Sequence, residues 1–329
     1  MITKINKLYL KYLIHGTLLM VLMGQAMVSF SQIDTDFWFA VPELSYRNST
    51  GGTPGTMRLS TLDLPATVTI SMPANAYNAA TNPTGFQDIV IDIPATSDAA
   101  VDLTHLIDVA SNPANNRLEN KPLTPNGINN FGLHITASNM ITVFWEVNYE
   151  YAADLWTLKG SNGMGTLFYT PFQTEYDNRL MLPRAYSAID IVATEDNTQV
   201  IITLPPGKAA SYGSIPQNIV PGGTYVVTLN RGQTFSLFPL RYSHLAADRL
   251  AGTRIESDKP IAVTVKDDAL NTGSGGQDLI GDQLVPVEIT GDNYIVPDIW
   301  NPNHIYVLAT EDNTDIYVTN AAGVPIGPS

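Results

Sequence analysis

The six residues Ala193-Thr194-Glu195-Asp196-Asn197-Thr198 recur later in the chain as Ala309-Thr310-Glu311-Asp312-Asn313-Thr314. Each copy lies between two runs in which apolar and polar residues alternate, with Ile191 just before the first copy and Val200 just after it. Alternation of this kind is typical of half-buried strands, and Asp and Asn favour the turn between them. The recurrence therefore predicts a strand–turn–strand unit that occurs twice, and with it a tandem β-repeat protein.

Three further segments support the repeat and give its length. Residues 36–42 (DFWFAVP), 165–171 (GTLFYTP) and 291–297 (GDNYIVP) each resemble a short aromatic strand that ends at a proline. The closing prolines lie 129 and 126 residues apart (171 − 42 and 297 − 171). A nearly constant spacing of this kind indicates duplication.

Two gapless alignments extend the repeat through the chain. Residues 57–73 align with 189–205, and residues 132–143 align with 252–263, apolar position on apolar position. Both members of the second pair follow the pattern strand, polar turn, strand. Counting such segments gives about seven short antiparallel strands in a unit of about 125 residues, which predicts an all-β fold of tandem immunoglobulin-like β-sandwiches. A propeller-like set of β repeats is the alternative.

The spacing predicts four regions. Residues 1–31 form a signal peptide, 32–162 a first β-sandwich with long loops, 163–290 a second β-sandwich, and 291–329 the start of an incomplete third repeat. The signal peptide is predicted from Lys4, Lys7 and Lys11, an apolar run over 17–28, and small residues before Gln32. An uncleaved anchor helix is the other interpretation of this segment, and no later apolar stretch is long enough to span a membrane.

Composition narrows the classes of partner and chemistry. The formal net charge is −14, so the surface repels nucleic acid and anionic membranes. The chain has no cysteine, which excludes disulfides, thiolate metal sites and a cysteine nucleophile. No histidine pair has metal-ligand spacing, and no phosphate-binding or nucleophile motif occurs. We therefore expect no enzymatic activity and no organic cofactor.

Acidic residues give one candidate for a metal site. Asp267, Asp268, Asp278 and Asp282 flank a glycine-rich loop and carry the hard oxygen donors that Ca²⁺ prefers. The acidic turns of the two recurring sequences could supply similar donors. The simpler interpretation of those turns is that Asp and Asn hydrogen-bond their own backbone.

Aromatic residues give a candidate ligand surface late in the first repeat. Trp145, Tyr149, Tyr151 and Trp156 could stack on a sugar ring. The alternative is that alternate members of this group fill the sandwich core, as most large aromatic side chains do.

Several motifs together resemble the N-terminal region of the IgGFc-binding protein family. They are DFWFAVP, the ATEDNT hairpin, residues 256–263 (ESDKPIAV) and residues 278–297 (DLIGDQLVPVEITGDNYIVP). Bacterial chains that resemble this family are typically exported surface proteins with adhesion modules and a C-terminal sorting domain of the type IX secretion system. The resemblance implies an exported, non-enzymatic module that binds an extracellular protein or glycan at the cell surface. A structural spacer for a further domain, or a carbohydrate-active enzyme with its site in the loops, are the alternatives.

Overall fold

A computed structural model describes residues 32–44, 55–107, 117–149, 152–181, 184–271, 278–296, 305–320 and 323–325. The predicted signal peptide lies outside these residues. Residues 32–329 form one compact unit. The described part contains two antiparallel β-sheets and short 3₁₀ turns but no α-helix, which confirms the predicted all-β class and agrees with β-sandwich architecture.

The first sheet contains seven strands, all from the first repeat. They are β1 (Asp34–Phe39), β2 (Gly55–Thr61), β3 (Ala66–Ser71), β4 (Ile89–Ile93), β5 (Asp98–Asp102), β7 (Leu133–Tyr149) and β8 (Ala152–Thr157). Their order is β4-β3-β7-β2-β5, and β1 and β8 also pair with β7.

The second sheet contains ten strands. They are β6 (Ile128–Asn129), β9 (Met164–Tyr169), β10 (Ser187–Ala193), β11 (Thr198–Thr203), β12 (Ala210–Tyr212), β13 (Gln217–Ile219), β14 (Thr224–Leu229), β15 (Thr234–Pro239), β16 (Arg254–Leu270) and β17 (Asp278–Gln283). Their order is β13-β12-β15-β10-β16-β11-β14, with β9 and β17 on β16 and β6 on β15.

The two sheets have the same pairing pattern. The pairs β1–β7, β2–β7, β2–β5, β3–β7, β3–β4 and β7–β8 recur as β9–β16, β10–β16, β10–β15, β11–β16, β11–β14 and β16–β17. The first gapless alignment places β2 on β10 and β3 on β11, and the strands begin and end at aligned residues. Aligned side chains are buried alike, as Val68 and Val200 show with 0 % exposure each. The duplication that the spacing predicts is therefore a duplication of topology.

The prediction of a polar turn within residues 132–143 and another within residues 252–263 is wrong. Each segment belongs to one long strand, β7 or β16, which continues through the polar residues. The pairing register of β7 with β1 shifts between Thr136 and Ile141, and that of β16 with β9 shifts between Glu256 and Ile261. A large bulge therefore replaces each turn. The first half of each long strand pairs with β3 or β11 and the second half with β2 or β10, so the strand crosses from one layer of the sandwich to the other at the bulge.

The core of each repeat lies between these layers. Met57 and Leu59 of β2 share one hydrophobic cluster with Val68 and Ile70 of β3, although the two strands pair with different halves of β7. The second repeat has an equivalent cluster built on β10 and β11.

The predicted third repeat differs from the first two. Its described residues in 291–296, 305–320 and 323–325 contain no strand, only a single bridge between Thr319 and Pro325. The turn of the recurring sequence nevertheless forms twice. Asn197 and Asn313 have φ angles of 54° and 59°, and the hydroxyl of the following threonine, Thr198 or Thr314, donates in each copy to the glutamate carbonyl at 2.8 Å. The turn therefore forms from local hydrogen bonds alone. The strands on each side of it need neighbouring strands to pair with, and in the first copy these are β14, β15 and β16.

Candidate functional site

Two of the predicted calcium ligands already have basic partners. The buried Asp267 accepts hydrogen bonds from Asn178 Nδ2 at 2.6 Å and from Arg249 Nε. The buried Asp268 pairs with Lys266 Nζ at 2.7 Å. Burial raises the pKa of Asp267, and the Arg249 guanidinium opposes that rise. These carboxylates belong to β16 and help to satisfy buried cations.

The other two predicted calcium ligands lie on β17. Asp282 forms an ion pair with Lys159 Nζ at 2.7 Å, and Asp278 accepts from the backbone of Leu279. Both lie near Asp154 of β8, whose pKa is raised by burial and further by these two charges. Within the described ranges, no group of three or more His, Asp or Glu side chains has the arrangement of a metal site. The two pairs therefore do not converge on one cation there.

The four aromatic residues predicted to form a ligand surface fall into two groups in the structure. Trp145 and Trp156 are buried in the core of the first repeat, with 1 % and 0 % of their surface exposed. Both fill the core, the alternative that the sequence left open, and neither offers a ring face to a ligand. Tyr151 and the side chain of Tyr149 lie outside the described residues.

One long loop of the first repeat proves to be part of the junction between the repeats. Its strand β6 pairs with β15 of the second sheet. The buried Asn120 donates from Nδ2 to Asp190 of β10 at 2.9 Å and accepts from Thr234 of β15 at 2.8 Å. Asn129 also donates to Asn120, at 2.9 Å. This part of the loop is buried against the second repeat.

Asp190 is a buried carboxylate at this junction. It is 0 % exposed, and burial raises its pKa to about 7. The charge of Glu43 acts in the same direction, while Lys266 and the Asn120 amide act against it. Such a group changes its charge near neutral pH, inside the joint between two repeats.

Tyr186 links this joint to the surface. Its hydroxyl donates to Glu43, and its ring lies 3.7 Å from Lys266 Nζ. The ring also makes an edge contact with Tyr242 at a centroid distance of 5.0 Å. Tyr242 in turn stacks on Phe238 at 4.2 Å. Tyr186, Phe238 and Tyr242 therefore form one aromatic cluster.

A cleft of ≈ 580 Å³ lies within the second repeat, and Tyr242 of this cluster is among its lining residues. Three segments line it: the loop after β9, the β11–β12 loop and the loop after β15. Its charged and titratable side chains are Arg179, Arg184, Lys208, Arg241, His244 and Asp248. Among the described lining residues, four cationic side chains therefore face one carboxylate, in a chain whose formal net charge is −14. We call this feature the basic cleft.

The loop after β15 has an unusual backbone at the basic cleft. Arg241 and Tyr242 have φ angles of 55° and 56°, in the left-handed region that costs non-glycine residues about 1–2 kcal/mol each. Two contacts hold this conformation: Arg184 Nη1 donates to the Arg241 carbonyl at 3.0 Å, and the Arg241 amide donates to Ser211 Oγ at 3.3 Å. Backbone strain of this kind is found preferentially at binding and catalytic sites.

Three bases of the cleft differ in their pairing from most of the other described bases. Arg58, Lys159, Arg249 and Lys266 each pair with a carboxylate. Within the described residues, Arg184, Lys208 and Arg241 form no ion pair. Among the described residues, the charges of these three bases are thus not paired with carboxylates.

The basic cleft could not be found in the sequence. Its bases are spread over residues 179–241, and no two of them form a recognisable motif. Only the topology brings these segments together.

A second cleft, of ≈ 460 Å³, lies where the two repeats meet. His134 stacks on Trp38 with ring centroids 4.1 Å apart, and its two ring nitrogens face Asp36 and Arg231 at 3.3 Å each. Arg231 also lies over the Trp38 ring at 5.1 Å. These side chains satisfy one another and hold the first repeat against the second.

Among the helices of the described residues, none is long and apolar enough to cross a membrane.

Comparison with known proteins gives one family. No curated protein matches the chain. A solved structure of Bifidobacterium dentium β-glucuronidase in complex with coumarin-3-O-glucuronide shows 10 % identity and a TM-score of 0.14. The match covers 76 % of this chain and 39 % of the glucuronidase chain, and it is too weak to indicate a common fold. The family model described as IgGFc binding protein matches residues 156–327, which include the whole of the second sheet except β6. With more than half of its residues in that match, the chain belongs to the IgGFc-binding protein family.

Proposed function

We propose that the chain is an exported, non-enzymatic binding module that holds an extracellular protein at the cell surface or in the surrounding matrix. The observation that carries this proposal is the family match over residues 156–327, since the family is named for binding the Fc part of an antibody. Export would depend on residues 1–31, whose basic start and apolar run have the pattern of a signal peptide.

The geometry of the two clefts favours binding over glycoside hydrolysis. A hydrolase of that class needs two carboxylates that face one cleft. The basic cleft has Asp248 as its only described carboxylate, and the cleft between the repeats has Asp36. The carboxylates with raised pKa at β10 and β16, Asp190 and Asp267, are 0 % and 3 % exposed. A substrate would not reach them.

The direct test is binding by the chain from Gln32 onward. We would immobilise it and pass over it the Fc fragment, the Fab fragment as a matched control, and a panel of extracellular matrix proteins. The proposal expects saturable binding of at least one protein, which is lost when the immobilised chain is unfolded in urea. Absence of saturable binding by a chain whose near-ultraviolet circular dichroism shows native packing would overturn the proposal.

A second candidate function is a structural spacer, favoured by the buried joint between the repeats. Asn120, Asp190 and Thr234 fix one repeat on the other through hydrogen bonds of 2.8–2.9 Å, which suits a stiff support. The test is replacement of residues 32–290 by an unrelated pair of β-sandwiches in the cell that displays the chain. Retained adhesion would assign the spacer role, and lost adhesion would assign binding to the repeats themselves.

A further inference from the structure

We propose that the basic cleft of the second repeat binds an acidic sugar, with its sulfate or carboxylate group held by Arg241 and the neighbouring bases. This is a site additional to the surface that would hold a protein partner, and it does not depend on which protein the module binds. The cleft volume of ≈ 580 Å³ lies within the range of small-ligand pockets, about 300–1,000 Å³.

The basic cleft concentrates positive charge. Arg179, Arg184, Lys208 and Arg241 line one cleft in a chain of net charge −14. Concentrated positive charge in a concave site focuses the field and attracts anions, although the whole protein repels them. Guanidinium groups match sulfate and carboxylate oxygens in geometry and form charge-assisted hydrogen bonds to them. The chemistry of the ligand is therefore that of an oxyanion.

Contacts from two other segments hold the backbone of Arg241 in place. Its left-handed backbone is held by Arg184 from one side and by Ser211 from the other. Its side chain is exposed and, among the described residues, has no carboxylate partner. The loop therefore fixes the position of an arginine whose charge is left available at the rim of the cleft.

Asp248, the one carboxylate among the described lining residues, favours sugars over acidic peptides. Asp248 is exposed beside the bases and accepts one hydrogen bond, from Ser243 Oγ at 2.5 Å. It would repel a second carboxylate of a polyglutamate-like ligand, whereas it can accept a hydrogen bond from a sugar hydroxyl. The cleft thus combines cations for an oxyanion with acceptors for hydroxyl groups.

The test compares four ligands on the chain from Gln32 onward. They are a sulfated glycosaminoglycan oligosaccharide, an oligouronate, a neutral oligosaccharide of equal length, and oligoglutamate of equal charge. Isothermal titration calorimetry at two salt concentrations measures each affinity. The proposal expects saturable binding of one or both acidic sugars, weakened by added salt, and at least tenfold weaker binding of the neutral sugar and of oligoglutamate. The sulfated and uronate arms show which oxyanion the cleft prefers.

Two variants locate the site. Arg241→Gln removes the charge but keeps an unbranched side chain with a similar left-handed penalty, and it is expected to weaken binding about tenfold, as the loss of a charge-assisted hydrogen bond does. Arg117→Gln, at an exposed arginine of the first repeat, removes the same charge elsewhere and should change the affinity less than about twofold. Equal affinities of the two variants for the acidic sugar would show a non-specific electrostatic attraction and would overturn the proposed site.

Three safeguards keep the test decisive. Thermal unfolding of both variants establishes that the fold is intact, and Arg179→Gln serves if Arg241→Gln unfolds. No binding of either acidic sugar by the native chain overturns the proposal, as does tighter binding of oligoglutamate. Because the protein panel is tested separately, loss of the sugar site alone leaves the proposed protein-binding function untouched.

Discussion

The side-chain amide of Asn120 donates to the carboxylate of Asp190 across 2.9 Å, and this contact joins a loop of the first repeat to a central strand of the second. Asp190 lies on β10, which pairs with β15 and β16. The joint between the repeats is therefore built on a polar group that water does not reach.

The first prediction concerns pH. Burial raises the folded-state pKa of Asp190 from 3.8 to about 7, so the folded protein binds this proton more tightly than the unfolded chain. The stability that comes from this group is present below pH ~4 and is lost as the pH rises to about 7, by an amount on the order of a few kcal/mol. Against the effect of burial, hydrogen bonds with Ser236 and Asn120 and the charge of Lys266 lower this pKa, while the charge of Glu43 raises it.

The variant Asp190→Asn isolates the effect. Its amide keeps the size of the carboxyl and cannot titrate, so the difference in unfolding free energy between variant and native chain should grow in the variant's favour between pH 4 and 7. Urea unfolding at several pH values measures this difference. A difference that does not depend on pH would show that Asp190 is not the titrating group.

The second prediction concerns the contact between β8 and β17. A Cβ added at Gly281 would lie 2.1 Å from Nε1 of Trp156, a buried ring of the first repeat. We expect Gly281→Ala to destabilise the chain by about 1–3 kcal/mol through overpacking. Gly291→Ala is the matched control, since its Cβ would find no atom closer than 3.9 Å. Equal urea midpoints for the two variants would contradict the close approach.

The third prediction compares the two copies of the recurring turn. Asn197→Ala places a residue that rarely adopts positive φ at 54°, and we expect a loss of about 1 kcal/mol because this turn connects β10 and β11. Asn313→Ala makes the same change in a turn that joins no described strands and should leave the main unfolding transition unchanged. If both variants lose stability equally, the second copy must also be part of the cooperative unit.

The fourth prediction concerns the buried pair of Arg249 and Asp267. Their side chains are 1 % and 4 % exposed, so Arg249→Met leaves a carboxylate in the core without its cation. We expect a loss of about 3–5 kcal/mol. Arg254→Met breaks a half-exposed pair with Glu256 and should cost less than about 1 kcal/mol. Chemical denaturation distinguishes the two, and similar losses would argue against the buried pair.

The fifth prediction concerns calcium. Lys266, Arg249 and Lys159 already neutralise Asp268, Asp267 and Asp282, so a cation would have to displace them. We expect neither added Ca²⁺ nor a chelator to change the melting temperature. An ion that binds the folded state stabilises it by about 2.7 kcal/mol at a hundredfold excess over Kd. A saturable rise in melting temperature with Ca²⁺ that disappears in Asp278→Asn would therefore contradict this prediction and support the calcium site that the sequence indicates.

The repeat and its strands could be predicted because their signals are local. Val68 and Val200 alternate with polar neighbours in the sequence, and both lie in the core. The continuity of β16 could not be predicted, because residues 257–260 have the composition of a turn. Pro260 is tolerated inside that strand at a point where the register with β9 shifts. Only the neighbours on each side of the bulge show that the strand continues.

The candidate site was less predictable for a similar reason. Acidic loops and aromatic residues attract notice in a sequence, but Trp145 fills the core and Asp267 pairs with Arg249. The positions of Arg184 and Arg241 depend on two loops that lie far apart in the sequence, and their 3.0 Å contact leaves no pattern in it.

The buried Gln283 of β17 has a consequence for the order of events during synthesis. Its Nε2 donates to the Trp38 carbonyl at 2.7 Å, and its Oε1 accepts from the Lys159 amide at 2.7 Å. Gln283 and Trp38 are 245 residues apart in the sequence. The Trp38 carbonyl is therefore synthesised long before the side chain that donates to it. The first repeat therefore cannot form this hydrogen bond until β17 of the second repeat has been synthesised. Folding of the second repeat then completes the packing of both repeats.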